Sequence, residues 1–178
     1  SMNLVRNLYN DKKYRISLLV AMGSFWGLRI SDLLSLRWEQ VLNKHEFELI
    51  EKKTGKFREI RINNQLIRNI DNCYNQIHPK PTKDNIFLGK KQTVYSVQRV
   101  NVILKDLKTK YNLKIRNFSS HSLRKTFGRE IFARSGTNAE LAIVKLSELF
   151  NHSSTIVTRR YLGITKQELL ETYNILTF

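Results

Sequence analysis

Residues 119–124 read SSHSLR and residues 151–161 read NHSSTIVTRRY, and these two stretches guide the interpretation of the whole chain. His121 and Arg124 are three residues apart, so on a helix they share a face. The two serines before His121 are favoured N-cap residues. The pair is therefore predicted to lie in the first turn of a helix, where free backbone N–H groups favour an anion.

The second stretch brings an imidazole close in sequence to a tyrosine. His152 precedes Tyr161 by nine residues, and Ser153 and Ser154 are available to cap a short helix between them. Together the two stretches supply donors for a phosphate, a titratable base and a nucleophile. This combination indicates phosphoryl transfer onto a tyrosine oxygen.

The chain is strongly basic. Its 178 residues, 41% of them hydrophobic, are enough for one domain with a substantial core. Lys and Arg together number 31 against 15 Asp and Glu, which gives a net charge of +16. An excess of this size indicates a polyanionic partner, most simply nucleic acid, more than a generally solvated basic surface.

Several classes of protein are excluded by the composition. Cys73 is the one cysteine, so the chain has no disulfide framework or Cys-rich zinc site, and Cys73 is predicted to be a buried thiol. No apolar run is long enough to span a membrane, and the polar, charged start is unlike a signal peptide. The protein is therefore expected in the cytoplasm. Ser1 before Met2 indicates a residue added for expression, so the chain is expected to be one piece of a longer protein.

Hydrophobic periodicity predicts a mainly α-helical fold with a small antiparallel β-sheet, an α+β class, in a single domain over residues 1–178. Two strands, over residues 47–51 and 57–62, are predicted to form a hairpin with its turn at Gly55. Long helices are predicted over residues 14–26, 64–77, 94–111, 138–150 and 165–176.

Arg29 lies between apolar neighbours in the stretch GLRISDLLSL at residues 27–36. An arginine in such a position is either paired with a carboxylate or directed at an anion. Asp32, three residues further on, is a candidate to orient it, and Ser31 is a candidate cap for a short helix.

The predicted hairpin carries lysines at its tip. Lys52, Lys53 and Lys56 surround the turn. Such lysines are either simply solvated or presented to a phosphate backbone.

In combination these segments resemble the tyrosine site-specific recombinases, the phage integrase family. Residues 27–36 look like the family's first arginine motif, and residues 53–58, KTGKFR, look like its catalytic-lysine hairpin. Residues 121–124 match the family's His-x-x-Arg, and residues 152–162, HSSTIVTRRYL, match its second histidine and nucleophile. Each piece alone is weak evidence, but all of them in the family order form a specific pattern.

The sequence departs from the family pattern at three places. The family usually has Leu-Gly before its second histidine, where this chain has Phe150 and Asn151. Asn tolerates the left-handed conformation better than other non-glycine residues, so the turn is expected to form. Asp32 stands where Glu is usual, and Trp26 where a small residue is common. None of these departures touches a catalytic atom.

The resemblance implies a metal-independent mechanism that needs no cofactor and no ATP. The tyrosine would attack a DNA phosphate and form a 3′-phosphotyrosine while a 5′-hydroxyl leaves. The arginines and the second histidine would neutralise the non-bridging oxygens, the first histidine would take the tyrosine proton, and the lysine would protonate the leaving oxygen. The six implied catalytic residues are Arg29, Lys53, His121, Arg124, His152 and Tyr161.

The resemblance also implies partners. These are double-stranded DNA and further copies of the chain, which are expected to assemble as a tetramer on DNA. The resemblance also implies that the protein comes from a bacterial or phage mobile element. The predicted last helix would pack either in its own core or on a neighbouring subunit. The family usually has a helical DNA-clamping domain upstream, which this sequence is expected not to include. Two rivals are a type IB topoisomerase, which rejoins one strand, and a DNA-binding module without catalytic activity.

Overall fold

The computed structural model describes residues 2–79 and 84–164, and it confirms the predicted class, mainly α-helical with a small antiparallel sheet. Its contacts divide the chain into two compact units between Arg124 and Lys125. The single catalytic domain over the whole chain stays a prediction.

The described part of the first unit consists of short and long helices around one hairpin. Its elements are α1 (Met2–Asn10), α2 (Tyr14–Trp26), α3 (Ile30–Leu34), α4 (Trp38–Val41), β1 (Glu46–Ile50), β2 (Phe57–Arg61), α5 (Asn64–Ile77), α6 (Val97–Lys110) and the start of α7 (Ser120–Arg134).

Helix α2 is the centre of the first unit's core. Its residues from Ser17 to Ser24 are all buried, and it packs against α1 and α5. A helix that is apolar on every side has no solvent face and must be enclosed. The predicted bounds of α2 and α5 agree with the observed ones.

Two helices of the first unit were not predicted. Helix α1 buries Leu4, Val5 and Leu8, which lie along one face. Helix α4 is a single turn that begins at Trp38, whose fully buried ring packs edge-on against Tyr74 at 5.1 Å between centroids.

The hairpin is antiparallel, and Phe47 pairs with Ile60 on the face that is buried in the core. At its open end Ile50 pairs with Phe57, and both side chains are exposed. The strand β1 ends one residue earlier than predicted, so Glu51 begins the turn instead of closing the strand.

Helix ends follow the predicted chemistry with two corrections. Gly27 ends α2 in the left-handed conformation, as predicted. Helix α6 begins at Val97, capped by the Ser96 hydroxyl, and not at residue 94, because Val94 forms a β-bridge with Leu88 instead. Ser31 is not a cap: α3 begins at Ile30, one residue before it.

The second unit, as far as it is described, continues α7 and adds a 3₁₀ turn (Gly136–Asn138), α8 (Ala139–Phe150) and α9 (Thr155–Leu162). Its core is small and apolar, formed by Ile143, Leu146, Phe150 and Leu162.

Helices α7 and α9 approach closely at Gly128. A Cβ atom at this position would lie 2.5 Å from Leu162 Cδ2 and 3.1 Å from the Phe150 ring. Only a residue without a side chain fits here, so this glycine sets how near α9 lies to α7.

The helix predicted over residues 165–176 lies outside the described residues. In the part of the chain that the structure describes, every helix is too short or too polar to cross a membrane.

Candidate active site

The start of α7 is fixed by hydrogen bonds to its first backbone N–H groups. Ser119 N–H donates to Ser122 Oγ at 3.0 Å, and Ser120 N–H donates to Asn101 Oδ1 at 2.9 Å. His121 therefore lies in the first helical turn, as predicted, and its side chain is exposed.

Arg124 lies on the same helix but is buried, with 6% of its surface exposed. Its Nη1 donates to the backbone oxygen of Gly27 at 2.5 Å. The approach of α7 to α2 depends on Gly23, where a Cβ atom would lie 2.8 Å from Leu123 Cδ1. The left-handed end of α2 thus anchors the guanidinium that follows His121 on α7.

Arg29 is paired with a carboxylate that the sequence analysis did not identify. Its Nη1 donates to Glu51 Oε2 at 2.5 Å. Glu51 Oε1 also pairs with Arg58 Nη1 at 3.4 Å, and Arg58 Nη2 donates to the backbone oxygen of Trp26 at 2.9 Å. Two guanidinium groups therefore share one carboxylate whose side chain is only 4% exposed.

Electrostatics keep this carboxylate ionised. Burial alone would raise the pKa of Glu51, but hydrogen bonds from Thr54 and Arg29 and the charges of Arg29 and Arg58 hold it below its ordinary value. Burial lowers the pKa of Arg58, and the nearby Glu51 opposes that change. The buried Asp32 is a second carboxylate whose charge opposes the lowering of the Arg58 pKa.

Lys53 is exposed on the turn that Glu51 begins. The turn is closed by the Glu51 backbone oxygen, which accepts from Thr54 N–H at 3.3 Å and from Gly55 N–H at 2.8 Å. Gly55 has a φ of +66°, which a residue with a side chain rarely adopts. The predicted turn at this glycine is confirmed.

Asp32 contacts the same hairpin. Its side chain is buried, and Oδ1 accepts from Lys52 N–H at 2.9 Å. The prediction made Asp32 the group that orients Arg29, whereas the ion pair observed for Arg29 is with Glu51. Asp32 thus binds the backbone N–H of Lys52, the residue directly before Lys53, and so positions the hairpin backbone.

In the second unit, Asn151 ends α8 in the left-handed conformation that we expected for an asparagine at this position. Asn151 is left-handed, with φ 52° and ψ 50°, and His152 N–H donates to the Ser147 backbone oxygen at 3.0 Å. Ser154 then caps α9 as predicted, since its Oγ accepts from Val157 N–H at 3.4 Å. This tight connection places His152 just before the helix that carries the tyrosine.

His152 and Tyr161 are in contact. Their ring centroids are 5.2 Å apart in an edge-on arrangement, and Phe150 packs against both rings. His152 Nδ1 lies 2.9 Å from the hydroxyl oxygen of Thr158, which is fully buried. This contact occupies Nδ1 of the imidazole and fixes the orientation of the ring.

A cation lies over the tyrosine ring. Lys125 Nζ is 5.2 Å from the centroid of Tyr161. This distance is typical of a cation–π interaction. It also places a positive charge near the phenol.

The predicted residues are therefore found in two groups. The first unit connects the segments that carry Arg29, Lys53, His121 and Arg124, through the contacts of Glu51 and Gly27. The second unit brings His152 to Tyr161. A single phosphate site formed by all six residues stays a prediction.

The sequence analysis missed Glu51, Arg58, Lys125 and Thr158. Arg58 lies in the hairpin motif at residues 53–58, but the sequence analysis assigned it no role. Thr158 is only six residues from His152 in sequence. The spacing of polar residues along α9 could therefore have indicated that Thr158 contacts the imidazole.

Comparison with known proteins identifies the class. The model of the phage integrase family matches residues 2–168, and the chain belongs to this family. It is 32% identical over 174 residues to "Probable integrase/recombinase YoeC" of Bacillus subtilis (strain 168), covering 96% of this chain and 90% of that protein.

Two solved structures share the fold. The crystal structure of the XerA recombinase matches 96% of this chain with a TM-score of 0.76 at 18% identity. The XerH site-specific recombinase, bound to palindromic difH substrate in a post-cleavage complex, matches 91% with a TM-score of 0.65 at 19% identity. The chain spans 60% of the XerA chain and 46% of the XerH chain.

Proposed function

We propose that this chain is the catalytic domain of a site-specific DNA recombinase that cleaves and rejoins strands through a 3′-phosphotyrosine. The observation that carries this function is the contact of His152 with Tyr161 at 5.2 Å between ring centroids, in a member of the phage integrase family. The name of YoeC and the substrate complex of XerH support DNA recombination as the activity.

In the first step Tyr161 Oη attacks the phosphorus atom of the scissile phosphodiester. A bond from Oη to phosphorus forms as the bond from phosphorus to the 5′ oxygen breaks. His121 accepts the phenolic proton, since imidazole is the side chain that most often acts as a general base. Lys53 donates a proton to the leaving 5′ oxygen. The reverse reaction, with a 5′-hydroxyl from another strand, rejoins the DNA and returns both protons.

Charge on the phosphate is neutralised by the two arginines. The guanidinium forks of Arg29 and Arg124 match the non-bridging oxygens in two-point contact. Arg124 is held by Gly27 and Arg29 by Glu51, so both groups are oriented before DNA binds. Preorganised donors of this kind need little rearrangement in the transition state.

His152 adds a hydrogen bond from Nε2 to the same oxygens. For Nε2 to donate in the neutral imidazole, Nδ1 must accept the hydrogen of the Thr158 hydroxyl, 2.9 Å away. Lys125, over the ring of Tyr161, would stabilise negative charge that develops on the phenolic oxygen.

The partner is double-stranded DNA, which agrees with the net charge of +16. We further propose assembly of four copies on paired sites, because exchange of two strand pairs needs four tyrosines. A location in the cytoplasm and independence from metal belong to the same proposal.

The function is tested with a nicked oligonucleotide that traps the covalent intermediate. The wild-type chain is expected to form an adduct that resists SDS, while Tyr161→Phe forms none and binds DNA with unchanged affinity. Tyr111→Phe is the matched control, because that hydroxyl already donates to Asp11 at 2.7 Å, and it should leave the adduct intact. An adduct with Tyr161→Phe would assign the nucleophile elsewhere.

The same experiment separates the rivals. A DNA-binding module without chemistry would give no adduct at all. A type IB topoisomerase would give the adduct and relax a supercoiled plasmid that carries one site, whereas a recombinase is expected to exchange strands between two sites.

A further inference from the structure

The Glu51 side chain connects two of the proposed catalytic groups. Its Oε2 accepts from Arg29 Nη1 at 2.5 Å and from the Thr54 hydroxyl at 2.8 Å. Thr54 is the residue directly after Lys53. One buried oxygen atom of Glu51 therefore contacts both Arg29, which is proposed to bind the phosphate, and Thr54, the neighbour of the proposed proton donor Lys53.

The backbone of Glu51 closes the same turn. Its N–H donates to Lys56 O at 2.9 Å, and its oxygen accepts from Gly55 N–H at 2.8 Å. Lys53 lies inside this closed turn and is itself exposed. The direction in which its side chain leaves the turn is thus set by contacts that begin at Glu51.

The charges make the carboxylate necessary to the arrangement. Arg29 and Arg58 lie on either side of Glu51, with side-chain exposures of 20% and 11%. Without the carboxylate, two poorly solvated cations would repel each other. With it, each guanidinium has an opposite charge beside it, and the repulsion is offset.

We propose that Glu51 is a positioning residue that holds the Arg29 guanidinium and the turn carrying Lys53 in one geometry, so that the phosphate clamp and the proton donor are set together. This inference rests on the proposed function. Glu51 would then support two functions, which we call the Arg29 arm (phosphate binding) and the Lys53 arm (protonation of the leaving oxygen). Loss of Glu51 is expected to impair both.

The two functions can be distinguished experimentally by changing the leaving group of the substrate. A substrate with sulfur in place of the bridging 5′ oxygen releases a thiolate, which needs no proton from Lys53. Lys53→Ala should therefore fail on the oxygen substrate and recover on the sulfur substrate. Arg29→Ala should fail on both, because the phosphate oxygens are unchanged.

Glu51→Gln keeps the shape of the side chain and removes its charge. The rate of adduct formation on the oxygen substrate is expected to fall about 10- to 100-fold, as for other displaced catalytic groups. The sulfur substrate should recover only part of this loss. Thr54→Val removes the hydrogen bond on the hairpin side alone, so its smaller loss should be recovered completely.

Glu48→Gln is the matched control. Glu48 lies on β1, three residues before Glu51, and is exposed. The same change of charge should leave both rates within about twofold of the wild type, because no buried group loses its partner.

Three outcomes would overturn the inference. Adduct formation by Glu51→Gln at the wild-type rate would remove any positioning role. Complete recovery on sulfur would confine Glu51 to the Lys53 arm, and no recovery would confine it to the Arg29 arm. If Glu51→Gln does not fold, as judged by circular dichroism, Thr54→Val decides: wild-type cleavage by that variant overturns the link to the hairpin.

A measurement on the free protein separates this inference from the proposed function. Amide hydrogen exchange at Gly55 and Lys56 should be faster in Glu51→Gln and Thr54→Val, and unchanged in Glu48→Gln. If the wild type gives no Tyr161-dependent adduct, the function fails, and unchanged exchange in Glu51→Gln overturns the positioning role by itself.

Discussion

Arg124 Nη1 donates to the backbone oxygen of Gly27 at 2.5 Å, and this bond joins the His-x-x-Arg helix to the loop that leads to Arg29. The left-handed Gly27 turns its carbonyl oxygen toward α7 instead of into the next helical turn. One donor of the Arg124 fork is therefore used to hold these two segments together.

Replacement of Arg124 tests both its bond to Gly27 and its proposed contact with the phosphate. Arg124→Ala should slow adduct formation about 10²- to 10³-fold, the usual cost of a lost transition-state donor. It should also lower the free energy of unfolding by about 1–3 kcal/mol, since the buried Gly27 oxygen loses its partner. Arg124→Lys keeps the charge but not the fork, so DNA affinity should return while cleavage stays slow. Normal cleavage by the lysine variant would contradict the two-point role.

Thr158 is expected to control the orientation of His152. Thr158→Val removes the hydroxyl at nearly constant volume, so the imidazole loses the partner of Nδ1. Adduct formation should fall by about tenfold or more. Thr158→Ser should restore the rate, while Thr155→Val, the same change one turn earlier on α9, should not alter it. A rate of adduct formation unaffected by Thr158→Val would show that the hydroxyl is not needed.

Gly128 is expected to reject even the smallest side chain. Helix propensity alone favours alanine by about 1 kcal/mol. The clash with Leu162, which is 1% exposed and cannot move into solvent, should outweigh this and destabilise the second unit by about 1–3 kcal/mol. Thermal unfolding of Gly128→Ala and of the double variant Gly128→Ala with Leu162→Ala measures the conflict. Losses that simply add in the double variant would mean that the two positions do not clash.

Cys73 should be unreactive in the folded protein. It is fully buried, and burial raises the pKa of its thiol to about 12. The thiolate is the nucleophile, so at pH 8 almost none of the reactive form is present. Iodoacetamide should label the native chain very slowly and label one thiol per chain in denaturant. Fast labelling without denaturant would indicate that α5 opens locally.

Salt should weaken DNA binding steeply. A net charge of +16 implies many contacts with phosphates, each of which releases counterions on binding. Between 50 and 200 mM salt the affinity for a single site should fall by about 10³-fold. A gel shift or fluorescence titration over this range gives the slope. An affinity indifferent to salt would contradict the charge argument.

The sequence predicted what depends on local patterns. Helices α2 and α5 have the predicted bounds, because apolar periodicity, Gly27 and a capping Asn63 define them within a few residues. The left-handed turn at Asn151 also follows from the preference of one side chain.

Contacts between residues that are far apart in the sequence could not be predicted from local patterns. Glu51 is 22 residues from Arg29, and only the folded hairpin brings them together, whereas Asp32 was favoured because it is near in sequence. The partner of Arg124 is a backbone oxygen, which every residue carries and no motif marks.

The contact of Arg124 with Gly27 closes a loop of 97 residues, whereas that of His152 with Thr158 closes one of six. Loop-closure entropy makes the longer contact about 2.5 kcal/mol more costly to form. We therefore expect the segment that carries Tyr161, the proposed nucleophile, to order early during folding and the Arg124 anchor to form late. A nascent or partly folded chain would then hold Tyr161 beside His152 but lack the arginine that we propose to bind phosphate, so we expect no DNA cleavage before folding is complete.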